Sequence, residues 1–354
     1  MKKVRILSLD GGGIRGIIPA TIMKYVEEQL QIKDNNPDAR IADYFDLVAG
    51  TSTGGILSCL YLTPDKDRKV KFTAKEALEF YSKQGYTIFN ESKIPKWKRF
   101  FGLANATKFS PKNIEMLFQQ KLGDTRMSEM LKPCMITTYN METKSAFFFT
   151  STDTKTERDF YVRDVVRSTS AAPTYFPPAK VVNLASKDKM MNIDGGVFAN
   201  NPLMCAYAEA RNTNFKPERD YDEPTASQMH ILSIGTGGGG FELPVVAKSQ
   251  TWGLVKWATS IPEIMMDGSV DTVAFQMNEM FGTLEKEHHS GYLRLDVPNT
   301  KGNDVRKIYA ADMSDASPEN IKNLLKAGEL TLKKAIDDGL DGFIDGLIDE
   351  KPVA

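Results

Sequence analysis

Cysteine and histidine are scarce in this sequence, and neither sign of charge is in excess. The cysteines are Cys59, Cys134 and Cys205. They are odd in number and too few for a disulfide framework, so we expect buried free thiols. Lysine and arginine total 45 and aspartate and glutamate total 46, which gives a net charge of −1. Because nucleic-acid-binding proteins are normally more basic, nucleic acid is disfavoured as a partner.

Long apolar runs are also missing. The first ten residues contain Arg5 and Asp10 and are too short for the apolar region of a signal peptide, so we expect a strand there. One uncharged stretch, from Leu47 to Pro64, approaches membrane-spanning length. Its centre, residues 50–55, is rich in glycine, serine and threonine, which favours a strand, a turn and a helix over a span. These absences predict a cytoplasmic location.

What the 354 residues do contain is the pattern of an α/β protein. Segments typical of strands alternate with segments whose apolar residues recur at helical spacing, which favours a sheet with helices on both faces. The expected strands are Val4–Leu9, Phe45–Ala49, Cys134–Tyr139, Ala146–Thr150, Met190–Ile193 and His230–Ile234. The expected helices are Ile17–Leu30, Thr53–Leu62, Thr73–Lys83, Pro111–Leu122, Leu203–Arg211 and Glu319–Leu332. No repeat or low-complexity linker divides the chain, which favours one domain.

A glycine-rich loop follows the first strand and opens a helix. Gly11, Gly13 and Gly16 satisfy the G-x-G-x-x-G pattern of dinucleotide-binding proteins, so that function is one hypothesis. Asp10 argues against it, because a carboxylate would face the pyrophosphate. The other interpretation is a loop whose backbone N–H groups bind an anion, either a phosphate or the oxyanion of an acyl-transfer reaction.

A second glycine-flanked turn carries a candidate nucleophile. Residues 50–54 read Gly-Thr-Ser-Thr-Gly, which matches G-x-S-x-G and lies between an expected strand and an expected helix. In that setting the turn is sharp enough to expose the Ser52 hydroxyl, and small residues on either side avoid collisions. We therefore predict a nucleophile elbow at Ser52.

The base that would activate this serine has two candidate types. One is a histidine, and His230, His288 and His289 are the three available. The other is Asp194, in the segment Ile193-Asp194-Gly195-Gly196, at a strand end. A carboxylate with an ordinary pKa is a poor acceptor for an alcohol proton, so Asp194 would have to be desolvated and held against the serine.

These motifs together resemble the patatin-like phospholipases. The resemblance rests on Asp-Gly-Gly-Gly-x-Arg-Gly at 10–16, Gly-x-Ser-x-Gly at 50–54, Ser-Ala-Ala-Pro at 170–173 and Asp-Gly-Gly at 194–196. Likeness to the plant members runs further, to residues 17–22, 43–46, 121–126, 232–237 and 292–294. Four ordered motifs make the resemblance specific, and it covers most of the chain to about Lys334.

The resemblance implies a three-layer α/β/α fold with a mostly parallel central sheet, and a calcium-independent lipid acyl hydrolase without a cofactor or metal. It implies Ser52 as the nucleophile and Asp194 as the only base, with no histidine. It also implies an oxyanion loop at Gly11, Gly12 and Gly13, with Arg15 as the motif arginine. Thr53, directly after the serine, is an additional candidate donor. The substrates implied are phospholipids and other acyl-ester lipids.

Two segments stand apart from this pattern. Residues Lys93–Phe109 interleave lysine and arginine with tryptophan and phenylalanine, a mixture suited to peripheral contact with an anionic lipid surface. The acidic end of the chain, residues 335–354, carries Ile336, Leu340, Phe343 and Leu347 at helical spacing. We therefore expect a catalytic domain over residues 1–334, followed by an amphipathic tail that packs on it.

Overall fold

The computed structural model describes residues 3–89, 107–152, 158–219, 222–238, 254–286, 291–300 and 302–349. The strands of the main sheet are β1 (Val4–Leu9), β2 (Leu47–Gly50), β3 (Cys134–Asn140), β4 (Ser145–Thr150), β5 (Ala179–Val182), β6 (Lys189–Asp194), β7 (Met229–Ile234) and β8 (Tyr292–Leu295). The helices are α1 (Ile17–Lys33), α2 (Ile41–Tyr44), α3 (Thr53–Leu62), α4 (Ala74–Ile88), α5 (Pro111–Leu122), α6 (Val162–Thr169), α7 (Gly196–Ala199), α8 (Leu203–Arg211), α9 (Lys216–Arg219), α10 (Leu254–Gly282), α11 (Pro318–Asp337) and α12 (Leu340–Asp349). Residues Asn299–Thr300 and Asn303–Asp304 form a separate two-stranded ribbon.

The main sheet has the order β5-β6-β3-β2-β1-β7-β8, with β4 paired to β3. The strands from β3 through β2, β1 and β7 to β8 are all parallel to their neighbours. The pairs β3–β4, β3–β6 and β5–β6 are antiparallel. The predicted α/β fold with a mostly parallel central sheet is confirmed.

Helices cover both faces of this sheet. Because side chains alternate along a strand, Val4 and Ile6 of β1 join one apolar cluster, while Leu7 and Leu9 join the other. The first cluster is closed by α8 and α10, and the larger second cluster by α1, α3, α4, α5, α6, α11 and α12. Burial on both faces explains why the parallel strands read as continuous apolar runs.

One edge of β3 brings two strand ends together. The hairpin partner β4 covers residues 135–140 of β3, so β2 and β6 must share the opposite edge. There β2 pairs with residues 134–136 and β6 pairs with residues 138–140 in the opposite direction. The ends of β2 and β6 therefore face each other across Thr137. This junction sets the position of the residues that follow β2 and end β6.

The C-terminal tail packs on the body as two helices. Ile336 belongs to α11, which ends at Asp337, and α12 begins at Leu340. Gly339, at φ 101°, makes the break between them, in a backbone region that favours glycine. Leu340, Phe343, Ile344 and Leu347 of α12 are buried. The expected boundary at residues 334/335 falls inside α11.

Within the described residues, no helix has both the length and the apolar character needed to cross a membrane.

Candidate active site

Ser52 occupies a strained turn between β2 and α3. Its backbone has φ 53° and ψ −120°, a conformation that costs a non-glycine residue on the order of 1–3 kcal/mol. The Ser52 N–H donates to Thr169 Oγ1 at 2.8 Å, and the Thr51 hydroxyl donates to the Ala199 carbonyl at 2.6 Å. These bonds fix the turn on both sides. Ser52 is 8% exposed, and its side chain lines a cavity.

The glycines flanking the turn are required by close backbone approach. A Cβ on Gly50 would lie 2.3 Å from the Gly54 carbonyl oxygen. A Cβ on Gly54 would lie 2.1 Å from the carbonyl oxygen of Leu9 in β1. Both contacts are to backbone atoms, which cannot rotate away. The sharp turn predicted from the Gly-x-Ser-x-Gly spacing is the turn that the structure contains.

We expect Gly54→Ala to lower the free energy of unfolding by about 3 kcal/mol, because β1 and α3 must separate to admit the methyl group. Gly268→Ala is the matched control, since a Cβ there meets nothing within 4 Å in the middle of α10. It should raise stability by about 0.5–1 kcal/mol, the ordinary helix preference for alanine. Urea unfolding of both variants measures the difference. Equal effects in the two variants would contradict the close approach.

Asp194 lies at the end of β6 and is almost completely buried, at 5% exposed. Its N–H donates to the Ala171 carbonyl at 3.0 Å. Its Oδ1 accepts the Gly196 N–H at 2.7 Å. One hydrogen bond therefore holds the backbone of Asp194 and another holds its carboxylate, and the residue lines the same cavity as Ser52.

The strand junction brings Ser52 and Asp194 into contact although 142 positions separate them in the sequence (194 minus 52). Burial raises the pKa of Asp194 to about 7, although hydrogen bonds from the Ser52 side chain and the Gly196 N–H oppose the rise. An aspartate base would have to be desolvated and held against the serine, and Asp194 meets both conditions. A pKa near neutrality suits a group that accepts a proton and later returns it.

Two residues of the glycine loop line the same cavity. Gly12, Gly13 and Thr53 line it, and their N–H groups form no backbone hydrogen bond within the described residues. Gly13 and Thr53 each begin a helix, where first-turn N–H groups have no partner inside the helix. Gly11 differs, because its N–H donates to the Asn200 carbonyl at 3.0 Å. A Cβ on Gly11 would lie 3.3 Å from Ser52 Cβ, so its role is close approach.

Asp10 and Arg15 lie beside the loop rather than in the cavity. Arg294 binds both carboxylate oxygens of Asp10, at 3.0 and 2.6 Å, so this charge is neutralised in the interior. Arg15 is half-buried and near Tyr175 and Tyr309, whose phenol pKa values its charge lowers against the larger effect of burial. Its Nε makes no hydrogen bond with any part of the chain that the structure describes.

The cavity above these residues has a volume of about 510 Å³ and a mainly apolar wall. Side chains from α3, α4, α5, α10 and the segment 172–176 form that wall. Examples are Ile56, Ile88, Ile114, Phe176 and Met266. Ser52 and Asp194 contribute polar atoms on the sheet side. A concave apolar site with a few convergent polar groups is the usual form of a small-molecule site.

His230, the one candidate histidine among the described residues, is not in this site. His230 lies near the start of β7, paired with Arg5 of β1, and its ring packs edge-on against Phe343 at 3.9 Å between centroids. The glycine loop follows the other end of β1, which is four residues or roughly 13 Å further along the strand. His230 is therefore a core residue. His288 and His289 lie outside the described residues.

Four residues that fix the site were not among the candidates. Thr169 binds the Ser52 N–H, and Thr137 contacts Thr51 across the strand junction. Thr236 donates to the Gly11 carbonyl at 2.6 Å, and the Asn200 carbonyl accepts the Gly11 N–H. Thr236 lies in one of the segments that resemble the plant proteins. Thr169 and Thr137 carry no sequence signal, because a lone threonine in a helix or strand is ordinary.

Comparisons with known proteins agree with the α/β fold described above. A family model described as patatin-like phospholipase matches residues 7–207. Patatin-like protein 2 of Arabidopsis thaliana is 36% identical over 352 residues, which cover 94% of this chain and 84% of that protein. Patatin-like protein 2 of Oryza sativa subsp. indica is 34% identical, covering 95% and 85%. Patatin-17 of Solanum cardiophyllum is 34% identical, covering 94% and 84%.

The chain therefore belongs to the patatin-like phospholipase family, the family that its sequence motifs resemble. Among the described residues, no group of three or more histidine, cysteine, aspartate or glutamate side chains is arranged to hold a metal ion.

Proposed function

We propose that this protein is a lipid acyl hydrolase that uses Ser52 as its nucleophile and Asp194 as its only base. The observation that carries the proposal is the contact between these two side chains at the wall of an apolar cavity. Gly12, Gly13 and Thr53 line the same cavity, and their N–H groups form no backbone hydrogen bond within the described residues, which supports a role as oxyanion donors. A nucleophile, a base and donors for an oxyanion are the parts that acyl transfer requires.

In the first half of the reaction, Ser52 Oγ attacks the ester carbonyl carbon while its proton passes to the Asp194 carboxylate. The carbonyl oxygen becomes an oxyanion, and the N–H groups of Gly12, Gly13 and Thr53 stabilise it. When the carbonyl re-forms, the carbon–oxygen bond to the alcohol breaks, and the proton on Asp194 goes to the departing alkoxide. The product is an acyl-serine and a free alcohol.

In the second half, water replaces the alcohol. Asp194 takes a proton from the water as its oxygen attacks the acyl-serine, and it returns that proton to Ser52 Oγ when the bond to the serine breaks. The Gly11 N–H is bonded to the Asn200 carbonyl, so it is not an oxyanion donor. Gly11 contributes instead by allowing the loop to lie close to Ser52. For Arg15 we propose an indirect role, because the arginine is not part of the cavity lining and lies near Tyr175 and Tyr309.

The substrate class follows from the wall of the cavity. Isoleucine, phenylalanine, proline and methionine side chains surround the space next to Ser52, and they favour an acyl chain over a polar group. We therefore propose phospholipids, lysophospholipids or related acyl-ester lipids as substrates. The mechanism needs no calcium and no cofactor.

Peripheral contact with a lipid surface through Lys93–Phe109 stays a prediction. Residues 90–106 lie outside the described part of the chain, and residues 107–109 are described. Phe109 is 2% exposed and packs on Phe89, Tyr175 and Phe176. Lys108 Nζ binds Asp312 at 2.7 Å. Phe109 is therefore excluded from any such surface, whereas the Lys108 side chain is 29% exposed with its charge paired.

A fluorophosphonate probe followed by mass spectrometry tests the nucleophile. We expect a covalent adduct on Ser52, because the probe reacts with serines that a neighbouring base and oxyanion donors activate. Ser170→Ala is the matched control, since Ser170 lines the same cavity but its hydroxyl donates to the Val166 carbonyl at 2.7 Å. This variant should label fully. Labelling of another serine, with Ser52 unmodified, would contradict the proposal.

A further inference from the structure

A second cavity lies beside α5, a helix that also lines the first cavity. It has a volume of about 440 Å³ and a polar lining, contributed by α5, α6 and the segment 177–180. Helix α5 lines both cavities, the first with Ile114 and the second with Glu115 and Gln119. The two cavities share no lining residue. Nothing in the proposed hydrolysis uses the second one.

Three cationic side chains line this second cavity, and they differ in how far their charge is compensated. Arg163 is paired with Asp124 and also lies 3.8 Å from Asp164. Arg167 has one carboxylate partner, Glu115, at 3.1 Å. Lys180 is exposed on β5 and has no ion-pair partner in the described ranges. Two cations of the three are therefore weakly compensated or uncompensated.

Arg167 carries the argument, because it is a buried cation with unused hydrogen-bonding capacity. Its side chain is 7% exposed, its Nη2 donates to the Pro177 carbonyl at 2.7 Å, and its Nε donates to Glu115. Its Nη1 is buried and forms no hydrogen bond to any described residue. Burial lowers the pKa of Arg167, although Glu115 opposes the change. A buried guanidinium group whose single carboxylate partner is half exposed is costly, and this favours a second anion beside it.

The carboxylate that now pairs with Arg167 can be displaced. The Glu115 side chain is 52% exposed, so it can turn to solvent at little cost when a stronger anion binds. A phosphate group fits the position better than one carboxylate, because its oxygens accept from a guanidinium and an ammonium group together.

We propose that the cavity between α5, α6 and β5 binds a phosphate group, with Arg167 and Lys180 as its cationic partners. The phosphate belongs either to a soluble ion or metabolite or to the headgroup of an anionic lipid, since both present the same chemistry. The site is independent of the proposed hydrolysis, because its ligand is bound and not transformed.

Calorimetric titration of the full chain with inorganic phosphate, at constant ionic strength, tests the site. Lys180→Glu should weaken phosphate binding at least about 10-fold, since it replaces an attraction with a repulsion. Glu115→Gln should tighten binding by roughly 3- to 10-fold, because it removes the competing carboxylate. Lys121→Glu is the control for net charge, as Lys121 is exposed on α5 but outside the cavity lining. It should leave the affinity within about twofold.

Opposite effects of the two variants support the site, since a fold defect would weaken binding in both. No heat of binding at millimolar phosphate, or equal affinities in all four proteins, would overturn it. Vesicles of phosphatidic acid and of phosphatidylcholine then separate the sources. If the protein binds phosphatidic acid vesicles and Lys180→Glu abolishes this binding, the ligand is a lipid headgroup. If it binds free phosphate but neither kind of vesicle, the ligand is a soluble anion.

Discussion

Replacing Ser52 with alanine is expected to lower the rate of ester hydrolysis about 10³- to 10⁶-fold, the range found when a nucleophile–base unit loses its nucleophile. The reason is that neither the cavity nor the N–H groups of the loop can form the acyl intermediate without the hydroxyl group. Release of nitrophenol from a p-nitrophenyl ester and of fatty acid from phospholipid vesicles measures the loss. Near-normal activity on either substrate would show that another residue attacks.

The fold should survive this substitution. Alanine removes only the hydroxyl group, and the backbone bond from residue 52 to Thr169 is kept. Ser170→Ala serves again as the matched control and should keep activity within about threefold, since its hydroxyl bonds to a helix carbonyl. Thermal unfolding of both variants shows whether a lost rate reflects lost chemistry or lost structure.

Replacing Asp194 with asparagine is expected to abolish activity and yet stabilise the protein above pH 7. In the folded protein the carboxyl group keeps its proton up to a pKa of about 7, whereas in the unfolded chain it ionises near 3.8. Between these values the folded state binds the extra proton, so this group's contribution to stability falls as the pH rises. A difference of about three pKa units corresponds to about 4 kcal/mol at pH 7 and above.

Asparagine is neutral in the folded and the unfolded state, so its contribution to stability does not fall as the pH rises. We therefore expect Asp194→Asn to match the wild type near pH 4 and to exceed it increasingly up to pH 8, in urea unfolding at a series of pH values. Wild-type kcat/KM should fall about tenfold per pH unit below 7, where Asp194 becomes protonated. A stability difference between the variant and the wild type that does not change from pH 4 to pH 8 would contradict the raised pKa of Asp194.

Asp46→Asn gives the contrasting control, because it makes the same substitution at another buried aspartate. Asp46 is 3% exposed and is bound by Arg5 at 3.1 Å and Arg219 at 2.8 Å. Its loss removes the carboxylate that these two buried arginines share, which costs about 3–5 kcal/mol. The two asparagine variants should therefore change stability in opposite directions at pH 8.

The sequence predicted regular elements well where pattern and composition agreed. The predicted strand Val4–Leu9 matches β1, and the predicted helices Thr53–Leu62 and Pro111–Leu122 match α3 and α5. Other elements escaped prediction for identifiable reasons. In α10, Pro262 and Gly268 would end a helix if intrinsic preference alone decided. In α6, valines typical of strands occupy a helix that packing stabilises.

What the sequence by itself determined is the local chemistry of the turns: glycines at 50 and 54 and the glycine run at 11–13 leave those backbones few alternatives. The meeting of Ser52 with Asp194 was decided by the tertiary structure, because β2 and β6 share one edge of β3 from opposite directions. The same holds for Gly11, whose N–H donates to the carbonyl of Asn200, a residue distant in the sequence. Pairing between strands depends on which edges remain open after folding, and no short stretch of sequence contains that information.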